Sequence, residues 1–447
     1  MKFSIRTYGC QMNERDSEAI EALLVQHGHE QTDLEADAEL VIVNTCTIRE
    51  KAELKALGKL GILCARKRKE PDFIVGAVGC VVQRLEHEIL KIVPKLDFAV
   101  GTRSKAFLPE IINVIKSGGG PVIDCGNEVE FNEKAWGEHK EGELTAFVNI
   151  ILGCERRCAY CIVPSVRGVE WSREPAKILE EVQRVVNLGA KEVTLLGQSV
   201  LQYGVRNKTW TDDYVSQRGY KEPFPRLLES VDSTSGIERI RFISSHPSRC
   251  TDEFARAMAE LPNVCEHIHL PIQSGSDEVL KRMRRGYNTC RYREAVTVLL
   301  KYMPDIAITT DIIVGFPGET EEQFEETRKF MEDINFDNAY IFKYSTRPGT
   351  PAADWEDDVS EEEKMRRHQV LLEDQNLRGQ KINEHLIGSS VEVLVEGLSK
   401  RNDQKFSGRT RTNKIVIFDG IDDLKVGDLV KVKISSAMPQ TIYGEIE

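Results

Sequence analysis

Three times in the first eighty residues an apolar run ends at a cysteine, and a helical pattern takes over beyond it. Phe3-Ser4-Ile5-Arg6-Thr7-Tyr8-Gly9-Cys10 leads to a helix with Ala19, Ile20, Leu23 and Leu24 on one face. Leu40-Val41-Ile42-Val43-Asn44-Thr45-Cys46 leads to a second helix, carrying Ala52, Leu57 and Leu60, and Phe73 to Cys80 repeats the arrangement. Phe98-Ala99-Val100-Gly101 closes the series as a fourth strand. Strands alternating with helices imply a parallel sheet covered on both faces, whose strands deliver their carboxyl ends to one edge. Cys10, Cys46 and Cys80 therefore stand together at that edge. One cysteine at a strand end is ordinary core; three at equivalent places predict a cluster site.

A second trio is local. Cys154-Glu155-Arg156-Arg157-Cys158-Ala159-Tyr160-Cys161 follows an apolar run, Phe147 to Leu152, that reads as a buried strand. Thiolates this crowded suit a soft metal, and iron–sulfur clusters are held by cysteine thiolates. No fourth cysteine or histidine follows at ligand spacing, which leaves one iron of a cubane open to a ligand that is not protein. A zinc knuckle is the alternative, although structural zinc takes four ligands; buried structural cysteines are another.

Beyond this loop the pattern is again strand and helix. A helix spans about Pro175 to Leu188, and strands are predicted over Glu192–Gln198, Arg239–Ser245, Glu266–Gln273, Ile308–Phe316 and Ala339–Tyr344. Thr251 and Thr320-Glu321-Glu322-Gln323 mark helix starts. With the strand before Cys154 these make six parallel strands, an open (β/α)6 partial TIM barrel with its chemistry at the carboxyl ends. Gln198, Ser245-His246-Pro247, Gln273-Ser274-Gly275 and Gly315-Phe316-Pro317-Gly318 fall there. Arg284 and Arg285 are placed to neutralise a carboxylate, whereas His267 and His269 share one strand face and read as core or as support behind a site, not as catalytic.

Ser360-Glu361-Glu362-Glu363 opens a helix running to about Leu386, followed by short strands at Ser390–Val395, Lys414–Phe418, Asp428–Ile434 and Thr441–Ile446. Small OB-like β-barrels of this kind often bind oligonucleotides. Lys400, Arg401, Lys405, Arg409, Arg411 and Lys414, with Phe406 among them, form a basic edge in a chain of net charge −12. That edge predicts RNA contact, with a log–log salt slope of roughly −4 to −5 if some six phosphates are neutralised. The net charge itself excludes a uniformly basic binder.

The chain is α/β overall, and 447 residues suffice for roughly three domains. The divisions expected are an N-terminal parallel-sheet α/β domain over 1–118, a polar linker over 119–143 in which His139 is solvated, the open barrel over 144–374 and the small β-barrel over 375–447. Eleven cysteines at scattered spacing are no disulfide framework; Cys64, Cys125, Cys250, Cys265 and Cys290 read as ordinary. No apolar run approaches the ~20 residues that span a bilayer, and the first residues are too polar for a signal peptide, so a cytoplasmic protein is expected.

The C-x3-C-x2-C spacing, with Tyr160 before the last cysteine, resembles the radical S-adenosylmethionine enzymes. Thr7-Tyr8-Gly9-Cys10-Gln11-Met12-Asn13, Asp16-Ser17-Glu18 and Asn44-Thr45-Cys46-Thr47-Ile48-Arg49-Glu50-Lys51-Ala52 resemble the amino-terminal domain of the methylthiotransferases within that superfamily. Gln11-Met12 is similar to the branch that acts on N6-(dimethylallyl)adenosine in tRNA. The ribosomal-protein branch typically has Pro-Lys there, and the threonylcarbamoyladenosine branch Lys-Val. The terminal module resembles the TRAM domain. Ser165-Val166 and Ser199-Val200-Leu201 depart from the usual wording.

The resemblance implies two 4Fe–4S clusters. Cys154, Cys158 and Cys161 would hold the one that chelates and cleaves S-adenosylmethionine, assisted by Tyr160, Gln198, Gln273 and Arg285. Cys10, Cys46 and Cys80 would hold an auxiliary cluster that supplies sulfur. The reaction implied is addition of a methylthio group to adenine carbon 2 at tRNA position 37, whose hydrogen no general base usefully removes and which calls for cofactor radical chemistry. The partners implied are the anticodon stem-loop, whose unpaired base is splayed out at modest cost, and an electron donor such as flavodoxin or ferredoxin; no membrane is expected, and the chain would act as a monomer. Three alternatives stay open: methylthiolation of threonylcarbamoyladenosine, methylthiolation of a ribosomal protein side chain, or a non-catalytic iron–sulfur RNA-binding regulator.

Overall fold

The computed structural model describes residues 1–48, 50–126, 139, 141–207 and 216–447. The chain forms two compact units. The first comprises Met1–Lys140, Leu152–Arg156 and Cys161–Trp171, and the second Glu141–Ile151, Arg157–Tyr160 and Ser172–Glu447.

In the first unit six parallel strands lie in the order β2-β1-β3-β4-β5-β6, where β1 is Lys2–Tyr8, β2 Glu30–Gln31, β3 Leu40–Thr45, β4 Ile74–Gly79, β5 Phe98–Val100 and β6 Val122–Asp124. The central strands β3 and β4 are buried along their whole length, as a sheet covered on both faces requires. Side chains alternate between two apolar clusters, with Val41, Val43, Val75 and Ala77 on one face and Leu40, Ile42, Ile74 and Val78 on the other. The edge strands β2 and β6 escape the sequence because two or three residues carry no legible period. Helices α1 (Gln11–Gln26), α2 (Glu50–Arg66) and α3 (Cys80–Leu85) start just beyond β1, β3 and β4.

In the second unit strands β7 (Thr145–Asn149), β10 (Glu192–Leu196), β11 (Arg239–Phe242), β12 (His267–His269), β13 (Ala307–Val314) and β14 (Asn338–Lys343) are the six barrel strands. The two-residue strands β8 (Ile151–Leu152) and β9 (Trp171–Ser172), which flank the cysteine loop in sequence, fall at the division between the units. The barrel strands run parallel in the orders β11-β10-β7 and β12-β13-β14, and an isolated parallel bridge ties Ile240 of β11 to Val264, in the segment leading into β12. Val193, Leu195, Ile240, Phe242, Ile268, Ile308, Ile312, Ala339 and Ile341 enter the main apolar core under the outer helices. The alternate residues therefore face the barrel interior.

Thr251 caps its helix as predicted, and Thr320 and Gln323 form the reciprocal capping box. At Ser360 only half the box forms, because the Glu363 carboxylate is drawn to Arg366 and Arg367. Strands β15 (Ser390–Ser399), β16 (Asn402–Thr410), β17 (Ile415–Asp419), β18 (Leu429–Ala437) and β19 (Thr441–Ile446) close into a barrel in the order β15-β16-β17-β19-β18. The polar β16 is the strand that the alternation of apolar residues did not reveal. His139 is buried, not solvated. The rest of the predicted linker lies mostly outside the described residues. Among the described residues no helix is long and apolar enough to cross a membrane.

Candidate active site

Tyr8, Thr45 and Gly79 share one rung across β1, β3 and β4. Cys46 and Cys80 are the next residues on their strands, and Cys10 is two residues on. The sheet thus brings the first predicted trio together. Cys10 is the N-cap of α1, and Cys80 opens α3 after Gly79, whose φ is 101°. A Cβ at Gly79 would lie 2.5 Å from the Thr45 carbonyl oxygen, so the turn that presents Cys80 excludes any side chain. Asn13 Nδ2 donates to Asn44 Oδ1 at 2.9 Å and to the Thr45 carbonyl at 3.0 Å, and Asn44 Nδ2 donates to Ser17 Oγ at 2.9 Å. This buried network ties the Cys10 turn to the Cys46 strand end.

The thiols interact. A hydrogen bond with Cys46, aided by the Arg167 guanidinium, lowers the Cys10 thiol to about 6. The same bond pushes the Cys46 thiol up. Burial raises that of Cys80, with Arg167 opposing. Among the described residues no three His, Cys, Asp or Glu side chains surround a point fit for a single metal ion. Three thiols that bind separate corners of a cubane would not do so either, and an all-cysteine donor set beside a guanidinium suits an iron–sulfur cluster.

In the second trio, Cys154 donates its backbone N–H to the Gly168 carbonyl at 3.1 Å. Gly153 before it has φ 71°, and a Cβ there would meet the Val169 carbonyl oxygen at 2.1 Å. Cys158 Sγ accepts from Arg285 Nη1 at 3.3 Å, and the same nitrogen donates to Tyr160 Oη at 3.2 Å. Arg285 is buried and fixed by bonds to the Pro271 carbonyl and to Tyr287 Oη, both 3.0 Å. Ala159 donates to Met283 O and accepts from Ala352 N. Tyr160 packs edge-on to Phe316.

The carboxyl ends of the barrel strands carry buried oxygens that lack a hydrogen-bond partner: Asn149 Oδ1, Gln198 Oε1, Ser199 Oγ, Ser245 Oγ and Ser276 Oγ. Such atoms are costly unless a ligand satisfies them, and a nucleoside that carries an amino acid with its amino group free offers the amino and hydroxyl donors to do so. Gln273 is buried, with φ 82°, its backbone N–H donating to Asp311 O at 2.9 Å and its carbonyl accepting from Ile313 N at 2.9 Å. Ser244, at the end of β11, is also left-handed with φ 67°. Strained backbone of this kind gathers at ligand sites.

On the interior face, Tyr340 and Phe342 of β14 remain 48% and 39% exposed. Beside Tyr340 stands His269, at 5.8 Å between ring centroids, and His269 is bonded to Thr309 Oγ1 at 3.0 Å and paired with Asp311 at 3.3 Å. Neither aromatic was picked out by sequence; their spacing of two on the last strand was the available signal. His267 is buried, and burial, with Arg241 facing it, holds it neutral.

At the amino ends of the barrel strands the picture differs from expectation. Arg411 makes a bidentate pair with Glu266, both arms 2.8 Å, and Lys414 pairs with Asp337 at 2.8 Å. These two basic residues join the small barrel to the large one. Arg409 is paired with Glu396 at 3.1 Å and Lys405 with Asp419 at 3.2 Å, while Lys400 and Arg401 are exposed. Phe406 stacks on Phe418 in the small core.

The Radical SAM superfamily matches residues 148–331, an uncharacterized protein family (UPF0004) residues 2–101, and the TRAM domain residues 384–446. The chain is 43% identical to a tRNA-2-methylthio-N(6)-dimethylallyladenosine synthase of Akkermansia muciniphila, over 99% of this chain and 98% of that one. It is 44% identical to the synthase of the same name from Acetivibrio thermocellus, over 99% and 90%, and 43% identical to that of Clostridium novyi, over 100% and 96%. Among solved structures, the radical S-adenosylmethionine methyltransferase TsrM of Kitasatospora setae shares the fold at a TM-score of 0.59 and 14% identity, covering 79% of this chain and 77% of that one. The cobalamin-dependent radical enzyme OxsB matches at 0.53 and 12% identity, covering 84% and 56%.

Proposed function

The chain belongs to the tRNA-2-methylthio-N(6)-dimethylallyladenosine synthase family, and on that footing we propose that its two cysteine trios divide one reaction between them. The protein is a radical S-adenosylmethionine methylthiotransferase that acts on tRNA beside the anticodon and uses iron–sulfur chemistry. In our reading there are two 4Fe–4S sites, one on Cys154, Cys158 and Cys161 and one on Cys10, Cys46 and Cys80. Bound there, the first cluster supplies the electron that cleaves S-adenosylmethionine and the second supplies the sulfur.

The residues have distinct tasks in this scheme. Arg285 holds the Cys158 thiolate and the Tyr160 hydroxyl in one fork, which fixes the loop's ligand geometry. Gln198, with the orphaned oxygens of Asn149, Ser199, Ser245 and Ser276, receives the amino and hydroxyl groups of S-adenosylmethionine, and Gln273 shapes the same rim through its left-handed backbone. Tyr340 and Phe342 stack on the adenine and its dimethylallyl arm inside the barrel. Lys400, Arg401, Lys405 and Arg409 meet RNA phosphates.

We further assign residues 1–118 to the auxiliary-cluster domain, 144–374 to the radical-generating barrel and 375–447 to RNA binding, with 119–143 as linker. A flavodoxin or ferredoxin is the reductant, and the chain works in the cytoplasm as a monomer. The observation that carries the reading is the single rung Tyr8–Thr45–Gly79, beyond which all three distant cysteines emerge. The test is a pair of variants. Cys158→Ala should abolish 5′-deoxyadenosine formation, while Cys46→Ala should stop thiolation and leave S-adenosylmethionine cleavage intact. Methylthio product from Cys46→Ala would refute the division.

A further inference from the structure

The inner face of the large barrel carries a row of polar side chains with no task so far. His267 and His269 on β12 lie beside Thr309 and Asp311 on β13. Thr309 Oγ1 is 3.3 Å from His267 Nε2 and 3.0 Å from His269 Nδ1, and His269 Nε2 is 3.3 Å from Asp311 Oδ2. Four side chains on two strands thus form one line that ends at a carboxylate. His269 Nε2 has to carry a proton, because a bare ring lone pair there would face the charge of Asp311. The other ring nitrogen is held by the Thr309 hydroxyl, which is held in turn by His267, a ring kept neutral by burial. The ring of His269 is therefore fixed in its plane, and it fixes one oxygen of Asp311.

The second oxygen of Asp311 is left over. The side chain is 29% exposed, no Lys or Arg among the described residues pairs with it, and no described group donates a hydrogen bond to Oδ1. Asp311 stands opposite Tyr340 on β14, and Ile313, two residues on, stands opposite Phe342. His269 touches both neighbours, the carboxylate through Nε2 and the Tyr340 ring edge-on. A carboxylate only accepts hydrogen bonds, so the aromatic surface of the barrel is bordered by an acceptor that carries full charge. An adenine with one N6 substituent has a single conventional donor on its base, the N6–H, whereas its ring nitrogens are acceptors. Beside such a base Asp311 attracts that one edge and repels the others.

We propose that Asp311 is a specificity-determining residue that accepts a hydrogen bond from the N6–H of the substrate adenine, with His269 as the positioning residue that sets its angle. This rests on the reading that the base stacks on Tyr340 and Phe342. The contact selects a base with a hydrogen on the exocyclic atom at carbon 6 and rejects one that offers only a lone pair there. It also pins the ring within its own plane, so that carbon 2, on the far side of N1 from carbon 6, is presented at one angle.

The experiment uses the full chain with both clusters reconstituted, as wild type, Asp311→Asn, Asp311→Ala and His269→Ala. Iron content and melting temperature are measured first. The probes are two anticodon stem-loop RNAs that differ only at the target base: one carries N6-(dimethylallyl)adenosine, the other O6-(dimethylallyl)inosine, in which an ether oxygen replaces N6–H. Affinities are read by fluorescence anisotropy at fixed salt. Wild type should bind the amine at least about tenfold more tightly than the ether, because a charge-assisted hydrogen bond gives way to facing lone pairs. Asp311→Asn keeps the side-chain volume and can turn its amide nitrogen to the ether, so the ratio should fall within about threefold. Asp311→Ala should weaken the amine and not the ether, and His269→Ala should lower the ratio without abolishing it. A wild type that binds both RNAs alike, or a wild-type ratio in Asp311→Asn, overturns the proposal; an unchanged ratio in His269→Ala overturns the positioning role. If either alanine variant loses iron or melts early, Asp311→Asn decides by the same ratio. The stacking reading fails separately: Tyr340→Ala with wild-type affinity for both RNAs overturns it, whatever the ratio.

Discussion

Arg241 donates to the Thr410 carbonyl oxygen at 2.8 Å, from the interior face of the large barrel to the last residue of a strand in the small one. The same guanidinium reaches the Arg411 carbonyl at 2.9 Å and pairs through Nε with Glu192 at 2.8 Å. Next to it, Arg239 donates to the Arg409 carbonyl at 2.7 Å and to Glu392 at 3.0 Å. The turn after β16 is thereby clamped beneath the barrel, with the Arg411–Glu266 and Lys414–Asp337 pairs on its far side.

Arg241→Ala should be severely destabilising. It strands the buried Glu192 carboxylate and the Arg411 carbonyl oxygen, while the Thr410 carbonyl keeps its bond from Asn413 N, and leaving a buried charge unpaired costs about 3–5 kcal/mol. The denaturant midpoint should fall accordingly, while tRNA affinity, measured on the folded fraction, should change little.

If the basic edge of the terminal module meets tRNA as proposed, fewer than six cations face it. Arg411 and Lys414 are committed to Glu266 and Asp337, and Lys405 and Arg409 must exchange their carboxylate partners Asp419 and Glu396 for phosphate, so the salt slope for tRNA binding should be roughly −3, not −4 to −5. Removing Lys400 and Arg401 together should flatten that slope by one unit or more. Arg411→Ala should lower stability and leave the slope alone.

Tyr340→Ala and Phe342→Ala should each raise KM for dimethylallyl-tRNA, by about five- to a hundredfold if stacking contributes roughly 1–3 kcal/mol per base. Reductive cleavage of S-adenosylmethionine should persist. The ratio of affinities for tRNA with and without the dimethylallyl arm should shrink in Phe342→Ala. Steady-state kinetics on both tRNAs checks the point.

In chain stripped of iron, Cys10 should react with iodoacetamide through a midpoint near pH 6, since its folded thiol is lowered to about 6 by the Cys46 hydrogen bond. The sign is fixed: above that pH Cys10 is thiolate and reactive, below it thiol and slow. Cys46 and Cys80, both raised, should lag behind at pH 7. Peptide mass spectrometry after timed alkylation reads all three.

Much of this architecture was legible because apolar periods are long where strands and helices are buried. β1, β3, β4 and β5 came out within two residues or so of their limits, and so did the position of each cysteine beyond its strand. Thr251 and Thr320 were readable as caps because a hydroxyl before a helix satisfies an otherwise orphaned N–H. What was not legible depends on the far side of a contact. Nothing local to Arg411 or Lys414 says that Glu266 and Asp337 wait for them; a basic run looks the same whether it meets phosphate or carboxylate. His139 was read as solvated from its polar neighbours and is buried. Tyr340 and Phe342 sit in an alternation whose inward side is ordinarily core, and only the open barrel turns that side into exposed aromatic surface. Asp16 and Arg167 lie 151 positions apart in the chain, so their pairing had no signature.

The clamp under the barrel gives the terminal module a second meaning. An RNA grip attached by a tether could be cut away at the cost of affinity alone. Here, deleting it would remove the floor: Arg239 and Arg241 would lose the carbonyls that satisfy them, and water would gain a route from below to wherever an open-shell carbon has to survive. Truncation should therefore produce an enzyme that squanders S-adenosylmethionine, not merely one that holds tRNA loosely.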